Sequence, residues 1–298
     1  RGPSPPGGRR PLMRTFSFGA GVQSTAVLTL QAMGRLPEPY DVFLFANVGD
    51  DSEHPDSLAY FRDVHMPYAE EHGIRLIELR KTRRDGSVET LRETLTREID
   101  PDDPATFPGK KKMGIPFYQS NGAPASRSCT NDFKITVLRR WQRQHGSSRD
   151  DPFVSGLGIS LDEIQRARTD SGFDDQILEY PLLDLGMNRR DCVAVTAEAG
   201  LPPAPKSACY FCPFHSLEAW RKLKRETPDL FEKACDLEGT LNTKRAAFQR
   251  HDPEFSGGRS PVVFLTKYLR PLRDAIADQL ALDLDDGPEG CDSGSCFT

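Results

Sequence analysis

Apolar positions in the N-terminal part of the chain follow two alternating rhythms. Short runs of strand length at Arg14–Phe18, Asp41–Ala46, Arg75–Leu79 and Phe153–Ile159 are separated by stretches with helical spacing. In Ser24–Met33, Ala26, Val27, Leu30 and Met33 fall at that spacing, and Ser57–His72, Val88–Glu98 and Asp132–His145 also read as helices. The run at 41–46 is nearly continuous, which suits a parallel strand buried on both faces. Strands alternating with helices predict an α/β fold, a doubly wound and mostly parallel Rossmann-like sheet with right-handed crossovers. Pro101–Ala125 reads as a loop or lid, with Lys110-Lys111-Lys112 and Gly114 in it. From Pro181 the pattern turns helical and irregular. The expected division is a flexible tail at 1–12, a main domain at 13–180, a smaller C-terminal subdomain at 181–282 and an acidic, Gly-rich tail at 283–298.

Composition narrows the class. No run approaches the ~18 apolar residues that a membrane span needs. Arg1–Arg10 has no apolar stretch, so it does not read as a signal peptide, and Met13 could be the natural start. Seven cysteines without a secretory signal favour metal or redox use over a disulfide framework, and a cytoplasmic location. A net charge of −5 argues against coating nucleic acid by bulk charge. Basic clusters at Arg80–Arg84, Lys110–Lys112 and Arg221–Arg225 read first as solvated surface, with a local nucleic-acid or phosphate patch as the alternative.

The first strand runs into Gly19-Ala20-Gly21-Val22-Gln23-Ser24-Thr25, and a helix follows. Such a turn points backbone N–H groups at an anion, and the helix dipole adds favourable charge. Glycines at 19 and 21 let backbone approach phosphate, and the hydroxyls of Ser17, Ser24 and Thr25 can bond phosphate oxygens. The loop lacks both the Gly-Lys-Ser/Thr of the Walker type and the third glycine of a dinucleotide site. It resembles the PP-loop of the adenine nucleotide alpha hydrolases, Ser-Gly-Gly-x-Asp-Ser, with Gly21 and Ser24 matching. Gly19, Ala20 and Gln23 replace Ser, Gly and Asp.

Three further stretches extend the resemblance to relatives of phosphoadenylylsulfate (PAPS) reductase. Asn47-Val-Gly-Asp-Asp-Ser-Glu-His-Pro55 is similar to Asp-Thr-Gly-x-Glu-x-Pro. Arg127-Ser-Cys-Thr-Asn-Asp-Phe-Lys-Ile135 is similar to Arg-x-Cys-Thr-x-x-(aromatic)-Lys-Ile. Gly156-Leu-Gly-Ile-Ser-Leu-Asp-Glu-Ile-Gln-Arg166 is similar to Gly-(Ile)-Arg-x-Asp-Glu-x-x-Arg, with Ser160 where Arg is common. The resemblance implies a nucleotide-binding domain for ATP or PAPS. Asn47, Gly49, Gly156 and Gly158 would lie against the nucleotide, and Arg127 and Lys134 would supply positive charge. Mg²⁺ would sit on Asp50, Asp51 or Glu53. Ser24, Gln23, Asp162, Glu163 and Arg166 would be the catalytic set.

Cys209-Tyr-Phe-Cys212 can contribute two thiolates to a metal centre. With Cys129 and Cys192 the set resembles the [4Fe–4S] site of some PAPS-reductase-like sulfur-transfer and DNA phosphorothioation enzymes. Zinc on three cysteines and His215, a C-x-x-C redox pair and plain buried thiols stay open. Cys235 reads as core. Cys291 and Cys296 could form a reversible disulfide, carry persulfide sulfur, or do neither. The implied function is cleavage of ATP between the α- and β-phosphates to adenylylate a substrate for sulfur transfer, on nucleic acid and with a sulfur-donor protein. PAPS reduction is one alternative, although its Glu-Cys-Gly-(aliphatic)-His tail motif is missing. A catalytically weak nucleotide-binding accessory of a CRISPR-type defence complex is the other.

Overall fold

The computed structural model describes residues 12–100, 102–103, 106, 114–254 and 260–277. Lys110–Lys112, Cys291, Cys296 and the two tails lie outside the described residues. Along the chain run β1 (Arg14–Phe18), α1 (Val22–Ala32), β2 (Val42–Asn47), α2 (Pro55–Tyr60), α3 (Met66–Glu71) and β3 (Leu76–Arg80). Next come α4 (Leu91–Thr96), β4 (Tyr118–Gln119), α5 (Ser128–Thr130), α6 (Thr136–Gln144), β5 (Phe153–Leu157) and β6 (Gln176–Glu179). The remainder is α7 (Pro181–Asp184), α8 (Arg189–Glu198), α9 (Leu217–Glu226), α10 (Pro228–His251), β7 (Val263–Phe264) and α11 (Leu272–Ala277). One π-helical turn, Phe61–His65, joins α2 to α3, and another, Asn131–Ile135, joins α5 to α6.

A five-stranded sheet carries the α/β expectation, in the order β3-β2-β1-β5-β6. β1 is parallel to β2 on one side and to β5 on the other, and β5 is parallel to β6. Every residue of β2 is buried, as its unbroken apolar run requires. The chain therefore steps outward from β1 to β3, then returns to build the other half from β5. The reversal falls between β1 and β5, where open α/β sheets form a crevice at the strands' carboxyl ends.

Chain contacts group the residues into two units, each drawn from separated segments. The first takes the chain up to Phe45, Val64–Ile77 and Leu138–Pro203. Its core includes Phe16, Phe18, Val27, Leu28 and Phe43, with Phe16 packed on Tyr40 and Phe43 at 5.2 and 5.1 Å between ring centroids. Gly156 lies under the Tyr40 ring: a Cβ there would come within 2.4 Å of it. The first glycine of the Gly-x-Gly pair is thus explained by core packing. Gly156→Ala is expected to cost about 1–3 kcal/mol of stability through overpacking, read as a lower urea midpoint with unchanged m.

The second unit takes Ala46–Asp63, Glu78–Val137 and the chain from Ala204. Its core includes Phe117, Phe133, Phe211, Trp220, Phe231 and Leu241. β4 and β7 pair antiparallel there. Ile115 and Phe117 are also buried in this core, so the described end of the 101–125 stretch is packed structure and not a lid. Three of the four cations in the Arg80–Arg84 cluster are paired within the unit as well. Arg80 pairs with Glu78 and Asp50, Lys81 with Glu89, and Arg83 with Glu93.

Candidate functional site

In the first unit, the chain leaves β1 through Gly19, Ala20 and Gly21 and enters α1 directly. Ala20 is buried and left-handed, with φ +56°, a conformation glycine adopts without penalty. Gly21 is the N-cap of α1, no side chain caps the helix, and its first turn carries no acid. The Ser24 hydroxyl closes the turn, accepting from the Gly21 N–H and donating to the Gly21 carbonyl, both at 3.0 Å. Thr25 Oγ1 donates to the same carbonyl at 2.8 Å. The two hydroxyls therefore hold the loop's shape, and the amides of the first turn are the ones a helix leaves without an intrahelical acceptor.

Gly158 follows β5 and faces this turn. A Cβ at Gly158 would lie 3.4 Å from the Ser24 nitrogen and 3.5 Å from Gln23. Ser17, near the end of β1, pairs in register with Leu157. The sheet's reversal point thus brings Ser17, the 19–25 turn, Gln23 and Gly158 together.

Sequence reading missed His65. It is fully buried, its Nε2 lies 2.8 Å from Thr25 Oγ1, and its ring meets Phe18 edge-on at 4.8 Å. Thr25 Oγ1 and His65 Nε2 share one hydrogen bond, whose donor is set by the imidazole tautomer. Burial pushes the His65 pKa down to about 3, whereas an unfolded histidine titrates near ~6.5. Between those values the unfolded chain binds more protons than the folded one. The His65 contribution is therefore complete above pH ~6.5 and is lost as pH falls toward the folded value, at up to about 1.4 kcal/mol per pH unit. Urea midpoints should drop from pH 7 to pH 5, and His65→Gln should flatten that slope by about one proton. An unchanged slope in the variant would contradict this assignment.

Asp162, Glu163 and Arg166 have structural partners. Asp162 accepts the Arg189 N–H at 2.5 Å, which anchors the start of α8. Glu163 and Arg166 form an ion pair at 2.7 Å with side chains only 7% and 10% exposed. Ser160 is buried, with its hydroxyl 3.4 Å from Asp162.

The second unit holds the loop after β2. Asn47 is buried and fully engaged: its amide donates to Asp50 at 2.8 Å and Glu78 at 2.7 Å, and its oxygen accepts from Gly49 at 2.8 Å. Both amide hydrogens are used, so Asn47 organises the loop. Burial raises the Asp50 pKa, but hydrogen bonds from Asn47, Arg62 and Arg80 outweigh it and hold the carboxyl below its ordinary range. Asp51 accepts from Thr90 and Ser52. Glu53 is buried. Burial raises its pKa against the opposing field of Lys134. Arg127 lies over the Phe214 ring at 5.7 Å.

The cysteines divide. Cys192 lies on α8 in the first unit, fully buried, and burial pushes its thiol up to about 12. Cys129, Cys209 and Cys212 belong to the second unit, where Cys129, Cys209 and Cys235 pack against the apolar core. The Cys212 N–H donates to the Cys209 carbonyl at 3.1 Å, and His215 Nε2 to the same oxygen at 2.9 Å. Burial first, then Lys206, pushes the His215 pKa down to about 4. Among the described residues, no group of three or more His, Cys, Asp or Glu side chains is placed to hold a metal ion. Of the expected ligands, Cys129, Cys209, Cys212 and His215 lie in the second unit and Cys192 in the first.

Among the described residues, no helix is long and apolar enough to cross a membrane. No protein-family model matches the chain, and no curated protein matches it.

Proposed function

We propose that the chain binds ATP through the amides at the start of α1, as in the PP-loop type, and cleaves it between the α- and β-phosphates. The observation that carries the reading is the uncapped α1 N-terminus at the β1/β5 reversal, with Gly158 against it. Oriented N–H groups there would receive negative charge as it develops on the phosphates. An acceptor atom would bond to the α-phosphorus as the bond from that phosphorus to the bridging oxygen breaks. Pyrophosphate leaves with the electron pair, and the acceptor is adenylylated. ATP enters as its Mg²⁺ complex, whose ion offsets phosphate charge. Sulfur transfer to nucleic acid is the acceptor class the four sequence stretches suggest. The iron–sulfur centre that the resemblance implies on Cys129, Cys192, Cys209 and Cys212 is given no step in this reading.

A second reading, a nucleotide-binding accessory with weak catalysis, is favoured by one observation. The Glu163–Arg166 pair and the Asp162–Arg189 contact engage the groups expected to do chemistry. Incubating α-labelled ATP and Mg²⁺ with the protein, with and without bulk tRNA or DNA, separates the two. Label in AMP or on nucleic acid supports cleavage. Bound but intact ATP supports the accessory reading, and label in ADP contradicts α–β cleavage.

A further inference from the structure

A separate cavity of about 360 Å³ lies within the second unit, near the lower end of the roughly 300–1,000 Å³ range of small-ligand sites. One wall is the 205–208 segment, held on the start of α2. The His54 N–H donates to the Ala208 carbonyl at 3.0 Å, and Ser57 Oγ to the Lys206 carbonyl at 3.0 Å. The other wall is α9, fixed at its start by Ser216, whose hydroxyl accepts from the Ala219 N–H at 3.1 Å. Glu218, Ala219, Lys222, Leu223 and Glu226 line the cavity from one face of this helix. Ala219 leaves the space that a larger side chain would fill.

The lining carries both signs. Lys206 and Lys222 supply cations, and Asp56, Glu218 and Glu226 supply anions. Glu226 meets Lys222 at 3.8 Å and Arg225 at 3.2 Å, and Asp56 meets His54 at 3.7 Å; both carboxylates are at least half exposed, so these pairings yield readily to a ligand. A phosphate would face three carboxylates, and a simple amine would face two ammonium groups. A molecule with one ammonium and one carboxylate answers both. Ala208, Ala219 and Leu223 leave an apolar surface for an uncharged side chain.

We infer that this cavity binds a free α-amino acid with an uncharged side chain. Its carboxylate meets the lysines, and its ammonium meets the carboxylates of α9 and Asp56. This inference does not depend on the nucleotide reading.

The probes are free L-amino acids with uncharged side chains, each titrated alone by calorimetry beside its N-acetyl and its carboxamide derivative. At least one should bind saturably, and either derivative should bind at least ~10-fold more weakly. Ala219→Leu, which fills the cavity without altering charge, should abolish binding while circular dichroism and Tm stay near wild type. Lys222→Glu on the exposed rim should weaken binding at least ~10-fold without filling the space. The inference is overturned if no probe binds at ~10 mM, if derivatives bind as well as the free amino acid, or if folded Ala219→Leu binds like wild type.

Discussion

Asn47→Asp is expected to lower stability at pH 7 by about 3 kcal/mol or more, although it changes one amide nitrogen to oxygen. In the native loop, Arg62 and Arg80 balance Asp50 and Glu78, and Asn47 joins the two carboxylates with its amide hydrogens. Aspartate would remove both donors and bury a third negative charge against the first two. The deficit should shrink at low pH, where the new carboxyl is protonated. Comparing Asn47→Asp with wild type in urea at pH 7 and pH 5 isolates the effect, because the histidine contribution is common to both. Equal stability at both pH values would mean that the loop accommodates the extra charge. Position 47 would then be free to act on a ligand, as the resemblance implied.

Gly158→Val should abolish ATP binding, with at least a ~100-fold loss of affinity, while leaving the fold intact. Even a methyl at this position would stand 3.4 Å from the Ser24 nitrogen. The branched side chain projects further, over the amides that are to receive phosphate. Gly156→Ala is the control of opposite character, since its methyl meets Tyr40 in the core. Calorimetric titration with ATP beside thermal unfolding distinguishes the pair. Gly158→Val should retain Tm and lose ATP, whereas Gly156→Ala should lose Tm and, while folded, retain ATP. If Gly158→Val binds ATP like wild type, the phosphates lie elsewhere.

Elements whose burial follows from their own residues were legible in the sequence. β1, β2, β3 and β5 announce themselves as apolar runs, and the glycine turn before α1 marks the passage from strand to helix directly. β6 was missed because only Ile177 and Leu178 of its four residues are apolar, and it gains its place by pairing with β5 at the sheet edge. α4 is shorter than its periodicity because Thr90 caps it, accepting the Glu93 N–H at 3.0 Å. Composition reads boundaries along the chain, but each unit gathers segments far apart in sequence. For the same reason, spacing could not place the cysteines. Cys192 sits 17 residues before Cys209, yet α8 carries it into the core of the other unit. His65 left no local signal, because its partners Thr25 and Phe18 arrive through the fold. The two glycines after β5 look alike in sequence and differ only in what stands over them, a tyrosine ring or the start of a helix.

The most direct test of the proposed nucleotide site is the backbone amide resonances of Val22, Gln23 and Ser24 during titration with ATP and Mg²⁺. The expected result is that these three shift first and saturate together, with adenosine alone leaving them unmoved. Saturable binding of ATP that leaves all three in place would contradict a phosphate site at the start of α1.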